Sequence, residues 1–194
     1  MTNPKPTTIT TERLTLTSIA EESINDMCDI FAMEEVSLTY MLPVFKDRED
    51  MENLFHRLVA LSNDENRFVY GVYLGTKLIG FVNDVEIENG EIELGYVINP
   101  HFKCRGYATE TLIASIKALF DMGYDLVKAG AFEGNVASFR VMEKAGMTKM
   151  DYTDQVSYNG KLHNCAYYHI RRKTQSFVNS TNGMFTKNNC DYIM

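Results

Sequence analysis

The stretch Asn99-Pro100-His101-Phe102-Lys103-Cys104-Arg105-Gly106-Tyr107-Ala108-Thr109-Glu110 sets basic and small residues between a strand-like segment, Leu94 to Ile98, and a helix-like one, Thr111 to Phe120. A strand passing through a glycine-containing basic turn into a helix is a geometry that holds phosphate. The first N–H groups of the helix have no partner within it, and its dipole puts partial positive charge at that end. Gly106 and Ala108 let backbone and ligand touch, while Lys103 and Arg105 add formal charge. A P-loop is excluded, because Tyr107-Ala108 stands where lysine and serine or threonine must follow the last glycine. The dinucleotide fingerprint is excluded too, since it needs three spaced glycines and this turn has one. The turn reads as a site for the diphosphate of a coenzyme; the bland alternative is an ordinary connection with two solvated basic side chains.

Carboxylates gather just before the turn, at Glu86, Glu88, Glu91 and Glu93. Strand alternation puts Glu91, Glu93 and Gly95 on one face and Leu94, Tyr96 and Ile98 on the other. An anionic coenzyme at one end and a cationic acceptor near the other would suit this layout, as would a solvated acidic strand edge. Asn135 suits the N-cap of a helix, and Ser138, one turn in, either adds a second cap bond or keeps its hydroxyl free. His163, Cys165, Tyr167 and His169 share a strand face but lack a closing ligand pair, so a packed or solvated face is expected there, and no metal.

The elements that must position these groups follow from periodicity. Arg13 to Ile19 alternates as a first strand, and Glu21 to Met33 and Asp50 to Leu61 carry helical apolar spacing. Phe68–Leu74 and Lys77–Val85 form a hairpin across Gly75-Thr76, and Asn89-Gly90 turns the chain into Glu91–Ile98. After the basic turn comes a helix stopped by Gly123, then a strand at Leu126–Phe132. A helix from Asn135 to Ala145 ends at Gly146, and a hairpin closes around Asn159-Gly160, between Thr148–Tyr158 and Leu162–Ile170. A hairpin-built half joined to a crossover half predicts an α+β fold around one twisted mixed sheet of about seven strands, flanked by about four helices.

At 194 residues, residues 1–173 are expected to form a single domain, with 174–194, rich in Asn, Ser and Thr, either a mobile polar tail or a partner-contacting arm using Phe177, Phe185 and Tyr192. A net charge of −7 argues against nucleic acid as a partner. No run approaches the roughly 18 apolar residues of a membrane span. The start of the chain lacks the apolar core of a secretion signal, so a cytoplasmic location is the default expectation. Scattered Cys28, Cys104, Cys165 and Cys190 read as reduced thiols.

The element order, with Lys103-Cys104-Arg105-Gly106-Tyr107-Ala108, resembles the GNAT superfamily of acetyl-coenzyme A-dependent N-acetyltransferases. More narrowly, Gly106-Tyr107-Ala108-Thr109-Glu110, Asn135-Val136-Ala137-Ser138, Glu143-Lys144-Ala145-Gly146-Met147 and the opening Thr11-Glu12-Arg13-Leu14-Thr15-Leu16 are similar to the branch of ribosomal-protein N-terminal acetyltransferases. The resemblance spans roughly residues 10–172. Cys104 departs from it where a small residue is usual, and Lys103 replaces the typical first residue. It implies that acetyl-coenzyme A is the cosubstrate, with its diphosphate on Lys103, Cys104, Arg105, Gly106, Tyr107, Ala108 and Thr109, and its pantetheine arm along Val97 and Ile98. Asn135, Ser138 and Lys144 would line the other wall. It also implies Glu93 as the base, directly or through water, and Ser138 as proton donor, with Tyr152 or Tyr158 as alternatives. With no histidine beside Cys104, direct transfer in a ternary complex is expected over a covalent thiol route. The resemblance also implies a primary amine as acceptor, of a protein N-terminus or of a small molecule such as a polyamine or antibiotic, and a monomer or homodimer is expected. Asp154, Gln155 and Val156 stand where some of those relatives carry a glutamate, which weakens the case for a ribosomal-protein acceptor. The competing class is an acyl-coenzyme A-binding regulator with little turnover.

Overall fold

The computed structural model describes residues 3–173; the expected tail at 174–194 lies outside them. One mixed sheet runs in the order β1-β2-β3-β4-β5-β6-β8-β7. Its strands are β1 (Thr8–Thr10), β2 (Thr15–Thr17), β3 (Tyr70–Leu74), β4 (Lys77–Glu88), β5 (Glu91–Ile98), β6 (Leu126–Phe132), β7 (Thr148–Tyr158) and β8 (Lys161–Arg171). Five α-helices accompany them: α1 (Ile24–Phe31), α2 (Glu34–Thr39), α3 (Arg48–Ser62), α4 (Tyr107–Met122) and α5 (Val136–Lys144). The α+β fold around one mixed sheet is as expected; against about seven strands and about four helices, the described residues form eight and five.

The differences have local causes. The Thr11 N–H donates to the Leu14 carbonyl (2.9 Å), and its hydroxyl accepts the Leu14 N–H (2.8 Å). That closes a turn at residues 11–14, so the strand expected over Arg13–Ile19 is confined to β2, and β1, which was not expected, pairs with it from the other side of the turn. The single helix expected over Glu21–Met33 becomes a 3₁₀ turn at Glu21–Ser23 followed by α1. The next helix, α2, has six residues, too few to show a periodicity. The helix after the basic turn begins at Tyr107, four residues before the apolar stripe that marks it. The Asn-Gly turns form as expected, with Asn89 and Gly90 at φ 50° and 81°, the sign a type I′ hairpin requires.

The sheet is covered on both faces. Leu14, Leu16, Tyr70, Ile79, Ile92 and Leu94 pack against α4 and α5, while Phe81, Val97, Leu78 and Tyr73 pack against α1–α3. This is why Leu78-Ile79-Gly80-Phe81-Val82 is a continuous buried run rather than an alternating one. The parallel pairing of β5 with β6 stops early: Glu91, Ile92 and Glu93 pair with Leu126, Val127 and Lys128, and the register ends there. β6 continues alongside β8 to Phe132, while β5 continues alongside β4 to Ile98. The two strands therefore part, and the β5 edge from Leu94 to Ile98 has no strand beside it among the described residues.

The wall facing this parting is α5, whose one fully buried side chain is Met142. Asn135 Oδ1 accepts the Ser138 N–H at 3.1 Å to start the helix, and Phe139 stacks on Tyr168 at 5.6 Å. With so little apolar area holding it, Met142→Ala is expected to destabilise the fold by about 2–5 kcal/mol, measured by denaturant unfolding.

Candidate active site

Asn99 accepts the His101 N–H (2.9 Å) and caps a 3₁₀ turn at Pro100–Phe102, which delivers the chain from β5 to the basic turn. Cys104 and Gly106 then both take left-handed backbone, φ 60° and 82°. At Gly106 this conformation is free of strain, whereas at Cys104 it costs energy that glycine would not. Among the described residues, the N–H groups from Cys104 to Thr109 donate no hydrogen bond, and the α4 ladder begins only with Glu110 N–H to the Gly106 carbonyl (3.0 Å). A run of free donors at a helix start, in left-handed turns, is an anion nest.

The turn opens on a cleft of about 1440 Å³ that runs along Tyr96, Val97 and Ile98 on the free β5 edge. Of the residues expected to hold the coenzyme, Val97, Ile98, Lys103, Cys104, Gly106, Tyr107, Ala108, Thr109, Asn135, Ser138 and Lys144 all line it. Arg105 does not; its side chain turns back over the Phe102 ring (5.7 Å). Lys103 is engaged with Glu35 of α2 at 3.0 Å, and Asn135 Nδ2 reaches the Thr39 carbonyl at 3.4 Å. The short α2 thus closes over the cleft and is tied to both of its walls.

A second cavity, of about 930 Å³, lies at the parting of β5 and β6 and shares Thr39 and Tyr40 with the first. Glu93, Asn83, Phe132 and Tyr167 line it, and Lys128, Tyr167 and Cys165 follow Glu93 across the same face through the registers of β6 and β8. Burial pushes the Glu93 carboxyl above the usual carboxylate range; Lys128 pulls it back in part, and Glu86 adds to the rise. Burial also raises the Tyr167 phenol to about 12, with Glu93 contributing.

Each parting strand carries a glycine beneath a tyrosine. A Cβ at Gly95 would lie 2.9 Å from the Tyr40 hydroxyl, and one at Gly130 would lie 2.7 Å from the Tyr167 ring. Tyr40 is held in place by its hydroxyl, which donates to Asn83 Oδ1 at 2.6 Å.

Ser138 is on the cleft wall, and its hydroxyl makes no hydrogen bond among the described residues; the cap bond runs to its backbone N–H instead. Tyr96, in the same cleft, donates to the Ser138 carbonyl at 3.3 Å, and burial raises its phenol well above the ordinary value. The alternative proton donors lie elsewhere. Tyr158 donates to the Ser37 carbonyl (2.9 Å), tying the last hairpin to α2, and Tyr152 is half exposed against Tyr167. His163 stacks on Phe132 at 4.6 Å, as part of a packed face. Tyr96 is the residue that alternation could have flagged: a polar ring set on the apolar side of β5. Tyr40 and Glu35 carried no signal, because α2 is too short to be read from the chain.

Residues 13–148 match the family described as Acetyltransferase (GNAT) domain. A curated relative, described as an uncharacterized N-acetyltransferase p20 of Bacillus licheniformis, is 26% identical over 133 residues, covering 66% of this chain and 72% of the relative. Among solved structures, a GNAT-family acetyltransferase from Bacillus anthracis superposes with a TM-score of 0.73 at 24% identity, over 84% of this chain and 98% of that one. RimL, a ribosomal L7/L12 alpha-N-protein acetyltransferase solved in complex with coenzyme A, superposes with a TM-score of 0.72 at 18% identity, over 87% and 98%. The microcin C7 self immunity acetyltransferase MccE, in complex with acetyl-CoA and AMP, gives 0.73 at 17% identity, over 84% and 94%. At these identities the structural matches establish a shared fold.

The Glu93 environment has a consequence for stability. Its pKa is higher in the folded protein than in the unfolded chain, so its favourable contribution is present at acid pH and is lost as pH rises through the folded value. Glu93→Gln is therefore expected to raise the melting temperature at pH 8 relative to the parent, with the gain vanishing near pH 4, as read by thermal unfolding at the two pH values.

Proposed function

Because this chain belongs to the GNAT acetyltransferase family, we propose that it transfers an acetyl group from acetyl-coenzyme A to a primary amine, directly, within a ternary complex. One observation carries the reading: the row of free N–H donors from Cys104 to Thr109 opens on a cleft along the unpaired β5 edge, and the half-buried Glu93 lies across the parting. The residues suit the coenzyme. The nest takes the diphosphate, Lys103 gives up Glu35 to face it, and the β5 edge from Leu94 to Ile98 offers backbone groups to the amide-bearing arm as an added strand would. Bound there, the coenzyme supplies the activated acetyl thioester.

The chain's own groups do the rest. An ammonium cannot attack, so Glu93, ionised above its raised pKa, takes a proton from the acceptor amine directly or through water. The amine nitrogen bonds to the acetyl carbon as the carbon–sulfur bond breaks; the departing thiolate takes a proton from the Ser138 hydroxyl, and the proton shed by the new amide nitrogen restores that hydroxyl. Tyr96, kept protonated by burial beside Ser138, is a second donor within the same cleft. The acceptor enters through the cavity holding Glu93, Tyr40 and Tyr167. An α-amine, with an ordinary pKa near 8, is within reach of a weak base more easily than a lysine near 10.4. A peptide N-terminus or a small-molecule amine of lowered pKa is the favoured acceptor class, and a cation suits an acidic face better than an anion does.

Thiol release from acetyl-coenzyme A, measured against a panel of peptides, polyamines and amine antibiotics, tests the activity, and at least one amine is expected to accelerate it. Binding of the coenzyme without acceleration by any amine would instead mark a binding protein without turnover. With an accepted amine, Glu93→Gln is expected to lower kcat by about 100-fold and to flatten the acidic limb of the pH–rate profile. That limb should lie above the ordinary carboxylate range.

A further inference from the structure

The motif that opens the domain and the motif that opens α4 are bound to one another. Glu110 stands in the first turn of α4, a place where a carboxylate would repel a diphosphate held at the helix start. The turn between β1 and β2 satisfies it completely. Glu110 Oε1 accepts the Thr11 hydroxyl (2.6 Å) and the Arg13 N–H (3.0 Å). Its Oε2 accepts Arg13 Nε (2.7 Å) and Nη2 (2.5 Å). These bonds hold the Glu110 carboxyl below its usual range, against the upward push of its partial burial.

Arg13 has a second hold on the turn. Its Nη1 donates to the Arg105 carbonyl at 2.9 Å, and its guanidinium lies over the Tyr107 ring at 4.6 Å. A trans peptide sends its C=O and N–H in opposite directions, and the described residues contain no cis peptide. Pinning the Arg105 carbonyl to Arg13 therefore aims the Gly106 N–H the other way, into the nest. Nη2 also comes within 3.3 Å of where a Gly106 Cβ would be, so the guanidinium packs directly behind the turn.

We propose that Arg13 is a positioning residue for the coenzyme: from behind the turn it neutralises Glu110 and orients the Arg105–Gly106 peptide so that the nest accepts a diphosphate. The role rests on the donor assignment above and extends it to a residue far from the nest in sequence. Expected affinities for acetyl-coenzyme A, by isothermal titration, follow from a charge left about one helical turn from the phosphates and partly screened: Arg13→Gln about tenfold weaker, and Arg13→Gln combined with Glu110→Gln recovering to about threefold. Neutralising a carboxylate left without its partner also restores stability, so the melting temperature of each variant is measured alongside, and the recovery in affinity is expected to persist at a temperature where every variant is fully folded. Glu110→Gln alone is expected to bind within about twofold of the parent or tighter, because Arg13 then faces the phosphates without its counter-ion.

A double variant as weak as Arg13→Gln overturns the proposal, as does a Glu110→Gln variant more than fivefold weaker than the parent. Should Arg13→Gln not fold, Arg13→Lys keeps a cation beside Glu110 and is expected to bind acetyl-coenzyme A within about threefold of the parent; a folded Lys variant that binds more than about tenfold weaker overturns the role. A parent protein that does not bind acetyl-coenzyme A overturns the donor assignment itself, and that outcome is separate from any difference among the variants.

Discussion

Everything at the site depends on two neighbouring parallel strands ceasing to pair after three residues. Had β5 and β6 stayed hydrogen-bonded beyond Glu93 and Lys128, the backbone of Leu94 to Ile98 would have been consumed by the sheet. There would be no free edge, and the half-buried Glu93 would have nothing to act on. The separation is sustained from both sides. β5 keeps its ladder with β4, β6 keeps its ladder with β8, and Tyr40 and Tyr167 rest on glycines at the point of divergence. An unpaired backbone edge is costly when buried and useful when a ligand can complete it.

Around that parting, the charges are sorted by sheet face and by distance along β5. The nest and Lys103 lie at the carboxyl end of β5, and the glutamates of β4 and β5 lie at its start. Glu93 sits between them, at the last paired position, desolvated enough to be a stronger base than a surface glutamate. The same desolvation opposes folding at neutral pH, so the basicity and the local stability of this residue move in opposite directions. α2 is held over the cleft by polar contacts from three separate elements: Lys103 of the turn, Asn135 at the start of α5 and Tyr158 of the last hairpin. Contacts of this kind are individually weak and can be exchanged for a ligand without dismantling the core.

Much of this was legible in the chain, and for identifiable reasons. Leu126–Phe132 is legible as a short apolar run, and Thr148–Tyr158 by Gly146 before it and the Asn159-Gly160 turn after it. Asn135 caps its helix as its type and position suggest. The basic turn could be read as a phosphate site since backbone donors at a helix start need only a glycine and an abrupt change of periodicity to be recognised. What escaped was short or non-local. β1 has three residues and α2 has six, below the length at which a period shows. Arg105 looked like a phosphate ligand by its charge, yet its side chain lies on Phe102 and its carbonyl is what matters.

By itself the sequence determined the longer elements, the Asn-Gly turns, the location of the anion nest and the face on which Glu93 points, because each follows from interactions among residues a few positions apart. Only the tertiary structure decided that β5 and β6 part after Glu93, that Tyr40 closes over Gly95, and that Arg13 and Glu110, 97 positions apart, brace the nest from behind. Those depend on which distant segments the packed sheet brings into contact, and a hydrogen bond between such segments leaves no period in the chain to read.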